Sequence, residues 1–174
     1  MKSMLTILCA IGLGTVLAAP AMAQGNPRGT ASLTLASTKV TVEYGRPSLK
    51  GRDVNQMLGQ LPAGEVWRLG ADKSTTFTTT GDLDFSGTTV PKGTYSLWAR
   101  KESDNSWKLV FNSQHGQWGT NHDASKDAVA VALKQEKETS PAEEVTIELE
   151  KEGTGGEFTV KWGDLELSTT FTAK

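Results

Sequence analysis

Cysteine is almost missing from this chain: among 174 residues only Cys9 is present, and it lies in an N-terminal apolar stretch. An exported chain without disulfides must be held together by its core, so small stapled scaffolds are excluded. No segment offers a membrane span. The apolar stretch Leu5 to Leu17 falls short of the ~20 residues a spanning helix needs, and Pro20 breaks it. Charge of one sign is lacking as well. Lys and Arg number 18 against 20 Asp and Glu, spread along the chain for a net charge of −2. That balance argues against a nucleic-acid or anionic-membrane partner.

What the N-terminus does contain is an export signal. Lys2 supplies the positive end, the apolar stretch follows, and Ala21-Met22-Ala23 offers a small-x-small cleavage site. Residues 1–23 therefore read as a signal peptide and 24–174 as one domain, exported to the periplasm or the cell exterior. Cys9 sits too early, after Leu8, to serve as a lipoprotein anchor. The remaining length suffices to bury roughly 68–70% of the surface of the unfolded chain.

Apolar residues recur at every second position, the mark of half-buried strands. Val40, Val42 and Tyr44 alternate, as do Tyr95, Leu97 and Ala99, Trp107, Leu109 and Phe111, and Val145, Ile147 and Leu149. Val129, Val131 and Leu133 extend the pattern through a stretch whose alanine, lysine and glutamate favour helix, and strand is expected there. Lys92-Gly93, Ser103-Asp104-Asn105, Gly153 to Gly156 and Gly163-Asp164 supply turns. Glu136 to Glu144, with Ser140-Pro141 inside it, reads as a polar loop. Thr75 to Thr80 reads as an exposed strand with its hydroxyls outward around Phe77. The expected fold is all-β, an antiparallel β-sandwich, with a partly closed β-barrel as the alternative. One short helix is expected near 53–58, capped by Asp53, with Gln56 at the capping-box position and Gly59 at its end.

Within this pattern lies a run of charge and glycine that strands do not require. It comprises Tyr44-Gly45-Arg46-Pro47-Ser48-Leu49-Lys50-Gly51-Arg52, Val66-Trp67-Arg68-Leu69-Gly70-Ala71, Thr75-Thr76-Phe77 and Pro91-Lys92-Gly93-Thr94-Tyr95-Ser96-Leu97. Together with Trp107, Asn112 and Trp118-Gly119, these segments resemble the bacterial domain-of-unknown-function family numbered 2911, over roughly Asn26 to Phe171. The resemblance implies an exported β domain and no established activity. Asp72 stands where it leads one to expect asparagine, placing a carboxylate near Arg68.

Arginine presents a planar fork that matches carboxylate or phosphate bidentately. Arg46, Lys50, Arg52 and Arg68, with Asp72 and the flat faces of Trp67 and Trp118, are accordingly candidates for a groove that binds an anionic small molecule or a cell-envelope glycan. The competing reading is structural: Glu43, Asp53, Glu65 and Asp72 lie near enough in sequence to neutralise all four cations. His115, His122 and Asp123 are weak metal candidates, since their spacing on a glycine-containing loop matches no compact ligand motif. In that loop Trp118 also reads as a plug at the edge of the core. No serine sits on a hydrolase elbow, so the rival to a non-catalytic binding role is a small envelope hydrolase using Glu65 and Asp72. A structural or protein-interaction module is the third reading. No cofactor is expected, and a protein partner stays open.

Overall fold

The computed structural model describes residues 25–174; the expected signal peptide and Gln24 lie outside them. In chain order the elements are β1 (Arg28–Leu35), β2 (Thr38–Gly45), α1 (Val54–Gly59), β3 (Val66–Trp67), β4 (Thr76–Thr79), β5 (Leu83–Phe85), β6 (Thr88–Val90), β7 (Gly93–Lys101), β8 (Trp107–Asn112), β9 (Asp127–Glu152) and β10 (Gly155–Ala173). A 3-10 turn, Ala124–Lys126, precedes β9. The strands form one antiparallel sheet in the order β1-β2-β4-β7-β8-β9-β10-β5-β6, with β3 paired to β7 at the side. The sheet is not closed, and β1 and β6 are its edges.

Instead it folds back on itself in a sandwich-like arrangement. Tyr44 Oη of β2 donates to the Ile147 carbonyl of β9 at 3.2 Å, although those strands are not sheet neighbours. Gly156 of β10 lies against Leu33 of β1, and a Cβ there would collide with it. Between the layers Phe77, Phe111 and Phe158 are fully buried. Phe111 meets Phe77 and Tyr95 edge-on at ring separations of 5.2 and 5.9 Å. Each such ring contributes roughly 1.5–3 kcal/mol by leaving water.

Helix α1 starts where expected. The Asp53 carboxylate accepts from the backbone N–H groups of Asn55 and Gln56 at 2.8 and 3.4 Å, a cap worth ~1 kcal/mol. The helix carries through Gly59 and ends at Gln60.

Three expectations need correction. Gly163-Asp164 is not a turn between strands: Gly163, at φ 58°, makes a bulge inside the continuous β10. Opposite that bulge, 136–144 is not a free loop. Lys137 pairs with Leu165 and Ala142 with Gly163, so the Ser140-Pro141 excursion is taken up within one long hairpin. Nor is the threonine strand exposed. β4 lies between β2 and β7, and Thr75 and Thr79 share the buried face of Phe77.

One face of β7 prepares the site. Tyr95, Leu97 and Ala99 point into the core, which sends Ser96, Trp98 and Arg100 to the other side. The segment between β8 and β9 crosses over that outer face. There Ser96 Oγ donates to the Gln114 carbonyl at 2.7 Å and accepts from Gln117 Nε2 at 3.2 Å and Trp98 Nε1 at 2.9 Å. Trp98 is thereby 2% exposed although it lies outside the main hydrophobic cluster.

Candidate functional site

The four cations do not form one groove. Arg46 lies against β9, where its Nη2 is 3.2 Å from Glu144 and its Nε donates to the Val145 carbonyl at 3.4 Å. Arg52 folds onto its own turn, with Nε and Nη2 donating to the Leu49 and Ser48 carbonyls, both at 2.8 Å. Lys50 is exposed at φ 51°, and its backbone N–H donates to Glu143 at 2.8 Å. These contacts staple the 46–52 turn to residues 143–145 of β9, reinforced by the Leu49 N–H to the Glu143 carbonyl and the Val145 N–H to the Pro47 carbonyl. Among the described residues only Arg46 of these three has an ion-pair partner, and it is Glu144 rather than any of the sequence neighbours Glu43, Asp53, Glu65 and Asp72.

Glycine explains much of the rest of this motif. Gly45 and Gly70 bring two backbone segments together so closely that a Cβ on Gly45 would strike the Ala71 carbonyl oxygen, and one on Gly70 would lie 2.9 Å from the Gly45 oxygen. Leu69 and Asp72 turn the chain with φ of 53° and 63°, a conformation that costs a bulky leucine ~1–3 kcal/mol. The Thr75 hydroxyl, near the Arg68 and Leu69 carbonyls at 3.3 and 3.0 Å, holds this turn. Asp72 does not face Arg68. Its carboxylate accepts from the Asn26 backbone N–H at 2.8 Å and from the Asn26 amide at 3.3 Å, pinning the start of the described chain.

Arg68 is different. Strand alternation puts it, with Val66, on the outer face beside Trp98, and it lines a depression of about 480 Å³. Gly119 of the crossing segment packs on its stem, since a Cβ there would lie 3.3 Å from Arg68 Cδ. Among the described residues no carboxylate lies within ion-pairing distance of its guanidinium. Glu65, Trp98 and His122 line the same depression, with apolar walls from Leu58 and Leu61. Trp67 also borders it, but its ring is buried and stacks on Trp162 at 5.8 Å and 7°, so its face is occupied by the core.

The histidine segment also divides. His122 Nε2 lies 2.8 Å from Asp127 Oδ1, and its ring rests 4.8 Å from that of Trp98. Asp127 is held in turn by Asn112 Nδ2 at 2.8 Å. Asp123 caps the following 3-10 turn through Ser125, whose hydroxyl holds that carboxyl below the ordinary range. His115 is exposed. Among the described residues no three His, Cys, Asp or Glu side chains gather as metal ligands would. Trp118 does not plug the core: it is 53% exposed. It bridges Lys73 in extended backbone, and with Gln117 turned to the sheet, alternation sends the indole to solvent.

The sequence marks Arg68 as a groove residue, Glu65 as an acid for neutralisation or hydrolysis and His122 as a weak metal candidate, and it gives Trp98 no role. The missed signal was the Ser96-Trp98-Arg100 alternation, which places a large apolar ring on the face opposite the core residues of β7.

Residues 26–171 match the family model described as a protein of unknown function, DUF2911. The chain belongs to the DUF2911 family. No curated protein and no solved structure matches it. In this DUF2911 chain the motif residues thus fall into two groups, those that lock the 46–52 turn and the Gly45–Gly70 contact, and those that shape the depression around Arg68. No helix among the described residues is long and apolar enough to cross a membrane.

Proposed function

We propose that this DUF2911 domain is an exported, non-catalytic binding module that holds a small anionic molecule, or an anionic unit of a cell-envelope glycan, at Arg68. The observation that carries this reading is the guanidinium left without a carboxylate partner in a depression walled by Leu58, Leu61 and Trp98. An arginine so placed offers its full fork to a carboxylate or phosphate. The depression falls within the ~300–1,000 Å³ typical of small-molecule clefts. Trp118, exposed in the same segment one residue before Gly119, offers a flat face suited to a sugar ring. Calorimetric titration with phosphate, acetate and glucuronate tests the reading: saturable binding that weakens with salt and is lost in Arg68→Leu supports it. Absence of binding for all three anions sinks it.

A hydrolase is the second reading, favoured by the His122–Asp127 pair beside the same depression. Asp72, engaged by Asn26, no longer belongs to it. It predicts ester or glycoside turnover that disappears in His122→Asn.

A further inference from the structure

We infer that the depression at Arg68 takes a zwitterion, an α-amino acid with an apolar side chain, rather than a simple anion; this rests on the binding reading above. Two formal charges of opposite sign line the cavity, and neither is neutralised. Glu65 and Arg68 flank the two-residue strand β3, and among the described residues neither has an ion-pair partner, each other included. An odd separation along extended chain puts Glu65 on the Trp67 side of β3 and Arg68 on the Val66 side, and the depression, lined by Val66 and Trp67 alike, takes in both at the edge of β3 away from β7, so the two side chains bracket that edge rather than meeting.

The backbone fixes that spacing. The Glu65 carbonyl accepts from the Lys101 N–H at 3.1 Å, and the Gly64 N–H donates to the Lys101 carbonyl at 2.7 Å, tying the Glu65 end to β7. At the other end the Thr75 hydroxyl and the packing of Gly119 hold Arg68. A plain carboxylate bound at Arg68 would leave Glu65 facing the cavity as an unpaired like charge, which is unfavourable. A molecule carrying a carboxylate and an ammonium a few ångströms apart satisfies both, through charge-assisted hydrogen bonds of ~2.8 Å at either end. Leu58, Leu61, Val66 and the buried Trp98 supply the apolar wall for its side chain.

Calorimetric titration of the purified protein with L-leucine, 4-methylpentanoate (leucine without its amine) and leucinamide (leucine without its carboxylate) tests this. Leucine is expected to bind at least about tenfold tighter than either analogue, the equivalent of one well-formed charged contact. Glu65→Gln should weaken leucine and tighten 4-methylpentanoate, erasing the preference between them. Arg68→Leu should reduce leucine to the level of leucinamide. Equal affinity of leucine and 4-methylpentanoate, or tighter binding of the latter, overturns the zwitterion assignment while leaving anion binding in place. Failure of both carboxylates to bind overturns the two readings together.

Discussion

The 46–52 turn and the depression at Arg68 are drawn from the same sequence motif, yet they treat charge in opposite ways. In the turn, Arg46 meets Glu144 and Val145 of β9, and Arg52 meets two carbonyls of its own loop. Beside β3, Arg68 and Glu65 line one cavity and leave each other alone. A tally of arginines therefore says little about binding. What matters is which of them the fold has already answered, whether by a distant carboxylate, as Glu144 does for Arg46, or by nearby carbonyls, as for Arg52. Lys161 belongs with the first kind, held by Glu148 and Glu138 at 3.1 and 3.3 Å, which raises its affinity for its proton.

This contrast can be broken or sharpened by substitution. The largest effect is expected from Gly45→Ala, which drives a methyl group into the Ala71 backbone and should destabilise by about 3 kcal/mol in chemical denaturation. Retention of full stability would mean that the Gly45–Gly70 approach is not a constraint. Arg46→Ala should cost about 1 kcal/mol by stranding the half-exposed Glu144, measured in the same way.

A pH dependence is expected at the β9–β10 kink. The Ser140 N–H and then Lys161 hold Glu138 down to about 2 from an ordinary value of 4.5. A depressed carboxyl stabilises the fold fully above its unfolded value and loses that contribution as pH falls through the folded one. Glu138→Gln should therefore melt earlier than the parent at pH 7, and the gap should close between about 4.5 and about 2. Glu166 acts in the opposite sense, since burial raises its pKa and its ionised form weighs against the folded state at neutral pH. The smallest effect on stability is expected from Arg68→Leu, within about 0.5 kcal/mol by denaturation, although it removes anion binding. A sharp drop in melting temperature would place Arg68 with Arg46.

Much of the fold was legible because alternation reports directly on burial. The β7 and β8 patterns and the Asp53 cap could be read from neighbouring residues alone. The Ser140-Pro141 segment misled for a physical reason. Polar residues and proline signal a loop, but a bulge in one arm of a long hairpin absorbs the same residues, and only the partner strand reveals it. The site was less accessible. Glu144 answers Arg46 across most of the domain, Asp72 turns to Asn26 because a positive φ redirects its side chain, and Trp67 stacks on Trp162 from the last strand. Local charge proximity carried none of this.

The hairpin of β9 and β10 bears on how the molecule comes apart. Both strands run on through the bend, and at the open end of the hairpin β9 pairs with β8 on one side and β10 with β5 on the other. The two layers share a single spine, so neither can peel away, slide or melt while its neighbour stays intact. Loss of structure should occur in one concerted step, and a ligand gripped beside β3 would raise the resistance of the whole domain to heat.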